Sequence, residues 1–210
     1  RLRKSRELWK SGGARRPRTF VLAAARMPRT VHSDNLCQLS AEEFWSLRMD
    51  LGFDSFMADQ RGGGCKVLEL EESADASGAT VVDRATLLTY QENPIPPALR
   101  KFVCEDFSFR VKARWHKERH DASHPMTFTS EPPVFADKIK VGGRQWVEPV
   151  SSTQCRIRQQ TEISVSIFGV GGQVEKALEQ QIQDSCAGLP RNAEAYVAHL
   201  CRAAAAAAAP

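Results

Sequence analysis

A stretch of alternating residues that begins at Phe107 is the most constraining feature of this sequence. Every second residue is apolar, and the residues between them are polar or basic. The apolar set is Phe107, Phe109, Val111, Ala113 and Trp115. Because successive side chains of a strand point to opposite faces, the alternation predicts an antiparallel strand with one buried face. Such a sheet needs a second layer to cover that face.

Other segments show strand patterns bounded by glycine, proline or polar residues. They cover residues 29–39, 65–71, 79–90, 125–129, 134–147 and 155–167. The second and third of these form a predicted hairpin, and a bend is expected at Gly142–Gly143. In the last segment, Gln159 and Thr161 fall on the same face as several apolar residues, so they are predicted to be polar positions in an apolar wall.

Two short helices are predicted between the first two strands. Ser40 and Glu43 have the spacing of a capping box, which predicts a helix over residues 41–49. The residues 50–54, DLGFD, then break this helix, and a second short helix that carries Phe56 and Met57 follows them. The chain therefore opens with a strand and a helix pair.

The C-terminal region predicts one more helix, of greater length. Apolar residues recur there at helical spacing from Val174 to Cys186. The residues 188–190, Gly-Leu-Pro, are predicted to interrupt this helix, because a proline inside a helix removes a hydrogen bond. A helix then resumes from Asn192 into the alanine-rich end of the chain.

This order of elements predicts an α+β domain in which a curved antiparallel sheet of six or seven strands wraps around the long C-terminal helix. The space between sheet and helix is the natural place for a ligand cavity. We divide the chain into a basic arm over residues 1–29, the folded domain over residues 30–200 and an alanine-rich tail over residues 201–210.

The formal net charge of +4 is unevenly distributed. Residues 1–30 hold ten Lys or Arg and one Glu, so the rest of the chain holds 19 basic and 24 acidic side chains. The folded domain is therefore mildly acidic, which disfavours nucleic acid as its partner. The arm has the Arg, Ser and Ala content of an organelle transit peptide. The alternatives are a disordered basic tail, an arm that docks on anionic lipid or RNA, and non-native sequence before Met27.

The six cysteines are scattered, and none forms the C-x-x-C pair of a structural zinc site. We interpret them as reduced core residues, which predicts an intracellular compartment. A plastid or mitochondrion is expected if the arm is a transit peptide, and the cytoplasm otherwise. No apolar run reaches the ~18 residues of a membrane-spanning helix, so an integral membrane protein is not expected.

Two further patterns have some features of binding sites. His116, His120 and His124 would share one face of a helix, but Pro125 and the flanking strand patterns predict a turn there instead of a metal site. The glycines of residues 169–172 precede a helix, yet the lysine and hydroxyl residue of a phosphate-binding loop are missing. We interpret this segment as a tight turn.

No catalytic signature is present in the sequence. Glu105 and Asp106 are adjacent, so in a strand they would point to opposite faces and could not act as an acid–base pair. The sequence therefore favours a protein without catalytic activity, and it predicts no cofactor and no metal. An acid–base pair assembled inside the cavity stays open as an alternative.

Three segments resemble the START-like superfamily, also called SRPBCC or Bet v 1-like, and within it the uncharacterised DUF2505 group. They are the residues 93–103, NPIPPALRKFV, the strand that ends at Trp115, and the residues 167–176, IFGVGGQVEK. The resemblance covers roughly residues 30–200. It implies a helix-grip fold, and START-like domains typically bind lipids, sterols or other apolar molecules, while some branches are cyclases or aromatase-like enzymes. The break at residues 188–190 departs from the uninterrupted final helix of that fold.

The expected function is the non-catalytic binding or transfer of a lipid or other apolar small molecule in the cavity. The residues expected to line it are Phe107, Phe109, Val111, Trp115, Phe128, Ile157, Ile163, Val165, Val174 and Leu178. A scaffold or assembly subunit with a filled cavity is the first alternative, and a cyclase- or aromatase-like enzyme is the second. A membrane surface or a larger protein assembly are further candidate partners.

Overall fold

Seven strands form one antiparallel sheet in the computed structural model, which describes residues 27–90 and 108–207. The strands are β1 (Arg29–Cys37), β2 (Gly63–Ala74), β3 (Thr80–Tyr90), β4 (Ser108–His116), β5 (Met126–Glu131), β6 (Ile139–Ser151) and β7 (Gln154–Val165). Their order across the sheet is β1-β7-β6-β5-β4-β3-β2. Consecutive strands are neighbours except for β1, which pairs with β7.

The helices are α1 (Ala41–Ser46), α2 (Leu51–Asp59) and the long α3 (Gly171–Ala207), and a 3-10 turn (Leu47–Met49) joins the first two. The predicted helix pair and long C-terminal helix are confirmed, and so is the helix-grip arrangement of a curved sheet around α3. Several predictions fall on residues outside the described ranges. They concern residues 1–26 of the basic arm, the segment 93–103, Glu105, Asp106, Phe107 and the last three residues of the alanine-rich tail.

The capping box at the start of α1 is confirmed. The backbone N–H of Glu43 donates to the Ser40 hydroxyl over 3.2 Å, and the N–H of Ser40 donates to the Glu43 carboxylate over 2.9 Å. These hydrogen bonds lower the pKa of Glu43. The predicted helix over residues 41–49 ends earlier as α-helix, at Ser46, and continues as the 3-10 turn.

The alternation that begins at Phe107 is confirmed in the part of it that the structure describes. Phe109 and Trp115 are buried, while Lys112 and Arg114 on the opposite face are exposed. The predicted strand over residues 134–147 begins five residues later, at Ile139. The reason is a turn in which Phe135 has a left-handed φ of 56° and its carbonyl accepts the N–H groups of Lys138 and Ile139.

The predicted break at residues 188–190 is wrong, because α3 runs through it with Pro190 inside the helix. Pro190 has no N–H, so it leaves the carbonyl of Cys186, four residues earlier, without its helical partner. The side-chain amide of Asn35 on β1 donates to that carbonyl over 3.2 Å. A side chain 151 residues away in sequence thus replaces the hydrogen bond that the proline removes.

We expect Asn35→Ala to lower the free energy of unfolding by about 1–3 kcal/mol, because it leaves the Cys186 carbonyl without a partner inside the protein. Urea unfolding followed by far-ultraviolet circular dichroism measures this loss. Pro190→Ala is the matched background, since it restores the N–H that the helix lacks. Equal losses from Asn35→Ala with and without Pro190→Ala would contradict this explanation.

Two apolar clusters lie between the sheet and the helices. The first surrounds Trp45 and Trp115 under α1 and α2, and it also contains Tyr196 from the C-terminal half of α3. The second contains Val31, Phe109, Ile163, Val165, Val174 and Leu178 around the first turns of α3. Since the clusters occupy opposite ends of the sheet's inner face, the middle of that face is available for a cavity.

The five described cysteines are Cys37, Cys65, Cys155, Cys186 and Cys201, and all are free thiols. Three of them are buried, whereas Cys65 is half-buried and Cys201 is exposed. Within the described ranges, none of the helices combines the length and apolar character that crossing a bilayer requires.

Candidate ligand cavity

A cavity of about 250 Å³ lies between α2, the inner face of the sheet and the middle of α3. Strands β3 to β7 each contribute at least one side chain to its wall. The described apolar residues that line it include Phe53, Met57, Leu88, Val111, Ala113, Met126, Phe128, Ile182 and Leu189. Arg61 and Thr89 are exposed side chains of this lining, so the cavity reaches solvent beside the end of α2.

A buried ion pair forms one wall of the cavity. The guanidinium of Arg84 on β3 lies 2.5 Å from the carboxylate of Asp54 on α2 and also donates to the backbone carbonyl of Arg48 over 2.9 Å. Its Cζ atom lies over the ring of Trp115, 5.1 Å from the ring centroid. Because Trp115 lies behind Arg84, the aromatic side chain fixes the position of the cation that faces the cavity.

A chain of polar side chains continues from this ion pair along the cavity wall. Arg48 donates to the side-chain oxygen of Gln145, and the amide nitrogen of Gln145 donates to Gln159 over 2.7 Å. Gln159 in turn donates to the Thr161 hydroxyl over 3.0 Å. The sequence-based expectation that Gln159 and Thr161 lie on the inner face agrees with these contacts.

Burial perturbs the titration of the charged groups in the cavity. It raises the pKa of the Asp54 carboxyl, and the positive charges of Arg84 and Arg48 oppose that rise. Burial, together with the charge of Arg84, lowers the pKa of Arg48 to about 10. Arg48 therefore remains a cation at neutral pH, and its charge is poorly solvated.

The structure separates the residues that the sequence assigned to the cavity wall. Val111 and Phe128 line the cavity. Trp115 and Ile157 belong to the apolar cluster under α1 and α2. The remaining described residues of the set pack in the cluster at the start of α3, and they are Phe109, Ile163, Val165, Val174 and Leu178. Phe107 lies outside the described residues.

Sequence reasoning missed the charged residues of the wall, namely Arg48, Asp54 and Arg84. A weak signal was present for Arg84, which alternates in β3 with Val82, Thr86 and Leu88 on the inner face. Val81 and Ala85 on the opposite face are buried as well, so the alternation does not show which face of β3 is inner. For Arg48 and Asp54 the sequence holds no such signal, because their position depends on how the helix pair docks.

The histidine segment forms a turn between β4 and β5, as expected. The rings of His116 and His124 are 5.1 Å apart, and His120 packs beside the Trp45 ring. Within residues 27–90 and 108–207, no three His, Cys, Asp or Glu side chains come together as metal ligands. The glycine segment before α3 is a tight turn in which Gly169 has a φ of 79°.

Comparison with known proteins gives the family and the fold. The family model described as "Protein of unknown function (DUF2505)" matches residues 36–197. Among curated proteins, none matches this sequence.

Solved structures share the fold at low identity, and three of them are compared with this chain. The Thermus thermophilus protein TTHA0849 is 16% identical with a TM-score of 0.51, and the match covers 80% of this chain and 99% of that one. The Zhui aromatase/cyclase from Streptomyces sp. R1128 is 11% identical with a TM-score of 0.54, covering 84% and 98%. Dicamba monooxygenase bound to 3,6-dichlorosalicylic acid is 15% identical with a TM-score of 0.52, covering 87% and 53%.

The family model spans most of the described domain, from the end of β1 to the C-terminal half of α3. The helix-grip architecture of the solved structures agrees with that assignment. The chain is therefore a member of the DUF2505 family, with a Bet v 1-like fold.

Proposed function

We propose that this protein binds a small apolar molecule in the cavity between α2, the sheet and α3. The observation that supports this most directly is the cavity itself, which is lined mainly by apolar side chains and has a few polar groups on one wall. Concave sites with this composition are typical of small-molecule binding proteins. The walls of the cavity belong to the long helix α3 and to the sheet, which are rigid elements, so the cavity is held open.

The size of the cavity suggests the size of the ligand. Its volume of about 250 Å³ lies just below the roughly 300–1,000 Å³ of pockets that hold drug-sized molecules. A compound with one to three aromatic rings, or a short aliphatic chain, matches this volume better than a sterol or a two-chain lipid does. We therefore narrow the expected ligand to a small apolar compound.

Binding can be tested with a neutral fluorescent probe, N-phenyl-1-naphthylamine, and with native mass spectrometry before and after organic extraction. Ala113→Leu adds three carbons to a residue that lines the cavity. We expect it to weaken probe binding at least about tenfold, because the added atoms occupy the ligand's volume. Thr129→Leu is the control, since it places the same leucine side chain at an exposed position of β5.

Two outcomes of these experiments would contradict the proposal. A protein that takes up no probe and releases no compound on extraction would instead support the scaffold role. Equal weakening by Ala113→Leu and Thr129→Leu would place the probe outside the cavity. Thermal unfolding of each variant shows whether a loss of binding reflects a loss of folding.

An enzyme of the cyclase or aromatase kind is the second candidate, and one observation favours it. Asp54 lies in the cavity, and burial raises the pKa of its carboxyl group. Carboxyl groups that exchange protons with a bound compound often have a raised pKa of this kind. Incubation of the protein with a co-purified compound, followed by mass spectrometry, would detect conversion. Conversion that Asp54→Asn abolishes would favour the enzyme, and an unchanged compound would favour binding alone.

A further inference from the structure

The charged groups that line the cavity are not balanced. Arg48 and Arg84 both face it, and Asp54 is the acidic residue in its described lining. The nearby Asp50 is engaged elsewhere, since it accepts hydrogen bonds from the Tyr196 hydroxyl and the Gly52 N–H, each over 2.8 Å. Arg61 adds a further positive charge at the exposed opening. The buried wall therefore carries about one positive charge in excess.

The excess charge belongs to Arg48 more than to Arg84. Arg84 has the Asp54 carboxylate, the Arg48 carbonyl and the Trp115 ring as partners. Arg48 has the neutral amide of Gln145 and lies over the Phe44 ring, 5.6 Å from its centroid. Its Nε atom is buried, and among the described residues no side chain or backbone group accepts a hydrogen bond from it.

Arg48 is partly buried and shares the charge of Asp54 with Arg84, so its positive charge is only partly compensated. Such a cation is costly, since its removal from water is not offset by a carboxylate of its own. The free-energy cost of burying Arg48 falls if a bound ligand supplies a negative charge beside it. A guanidinium binds a carboxylate with two parallel hydrogen bonds, and a singly charged group matches the single excess charge of this wall. A phosphate group with about two negative charges would exceed it.

We propose that the ligand carries one carboxylate, which Arg48 binds, and an apolar body that packs against Val111, Met126 and Phe128. The inference rests on the proposed binding function and names the chemical class of the ligand, a small aromatic or short aliphatic monocarboxylic acid. In this arrangement Arg84 and Asp54 remain an ion pair, and the carboxylate of the ligand lies beside them.

The test compares two probes of nearly the same shape, 1-naphthoate and the neutral 1-naphthamide, by displacement of N-phenyl-1-naphthylamine at pH 7. We expect 1-naphthoate to bind about tenfold to a hundredfold more tightly than 1-naphthamide, as hydrogen bonds to charged groups do in proteins. Arg48→Met should remove this preference, because it weakens the binding of 1-naphthoate much more than that of 1-naphthamide. Arg48→Lys, which keeps the charge without the forked geometry, should retain part of the preference.

Arg144 on β6 offers a closely matched control. It also lies over an aromatic ring, that of Trp146 at 5.6 Å, and it also donates to a glutamine side chain, that of Gln160. It is exposed on the outer face of the sheet, so Arg144→Met should leave both affinities unchanged.

Each remaining outcome has a definite meaning. Equal binding of the two probes by the native protein, or a preference that survives Arg48→Met, would overturn the carboxylate assignment while the cavity still binds apolar compounds. The same holds if the neutral dye binds and 1-naphthoate does not. Failure of every probe to bind would overturn the binding function itself.

Discussion

Trp115→Ala is expected to lower the free energy of unfolding by about 3–5 kcal/mol, the typical cost of removing a large buried aromatic side chain. Trp115 is 1% exposed and packs in the cluster under α1 and α2. The substitution also removes the ring over which the Arg84 guanidinium lies. Urea unfolding followed by far-ultraviolet circular dichroism measures the loss. The same protein should show weaker probe binding, because Arg84 then loses one of the three groups that position it.

Trp146→Ala is the control for this prediction. Trp146 is half-buried on the outer face of β6, where it donates a hydrogen bond to Glu148 and contacts Arg144. We expect a smaller loss there, because part of the ring is already in water. If both substitutions cost the same, the cluster around Trp115 would not have the tight packing that its burial implies.

Arg84→Met should have an effect of similar size for an electrostatic reason. The side chains of Arg84 and Asp54 are 7% and 20% exposed, and their charged atoms lie 2.5 Å apart. Removing one member of such a pair leaves an uncompensated buried charge, which costs about 3–5 kcal/mol. Adding Asp54→Asn to this variant should recover part of the loss, because the unpaired carboxylate is then absent. A double-mutant cycle in urea gives the coupling energy.

The loss caused by Arg84→Met should depend on pH. Arg84 now opposes the rise in the pKa of Asp54, so without it the folded-state pKa lies still further above the ~3.9 of an unfolded aspartate. The variant is therefore more stable at a pH where Asp54 is protonated than at a pH where it is ionised. It loses stability as the pH rises from the unfolded-state pKa through the higher folded-state pKa of Asp54. A loss that is the same at pH 4 and pH 7 would indicate that packing, and not charge, is responsible.

Local sequence patterns predicted those helices and strands correctly that are determined by residues close together in the chain. The capping box at Ser40 needs only residues three apart, and the alternation that ends at Trp115 needs only the pleat of one strand. The predicted start of a strand at Val134 failed because the left-handed turn at Phe135 interrupts an otherwise apolar segment. Local sequence also could not show that α3 continues through Pro190, since the compensating donor is Asn35 on the first strand.

The cavity was harder to predict than the fold. Its polar wall joins Arg48, Asp54 and Arg84, and those residues come from three elements that meet only after the helix pair docks on the sheet. Gln159 and Thr161 were identified because a single strand, β7, carries a clear alternation. Val111 and Phe128 line the cavity, whereas the other described residues assigned to it fill the two clusters beside it.

The position of β1 beside β7 has a consequence for how this protein is made. The two strands are hydrogen-bonded along residues 29–37 and 155–163, and Asn35 then reaches α3. During synthesis, β1 therefore leaves the ribosome long before its only neighbour in the described sheet exists. Pairing of such distant segments slows folding, and an unpaired edge strand can associate with other chains. We therefore expect nascent chains that end before residue 155 to associate more readily than chains that also contain β7.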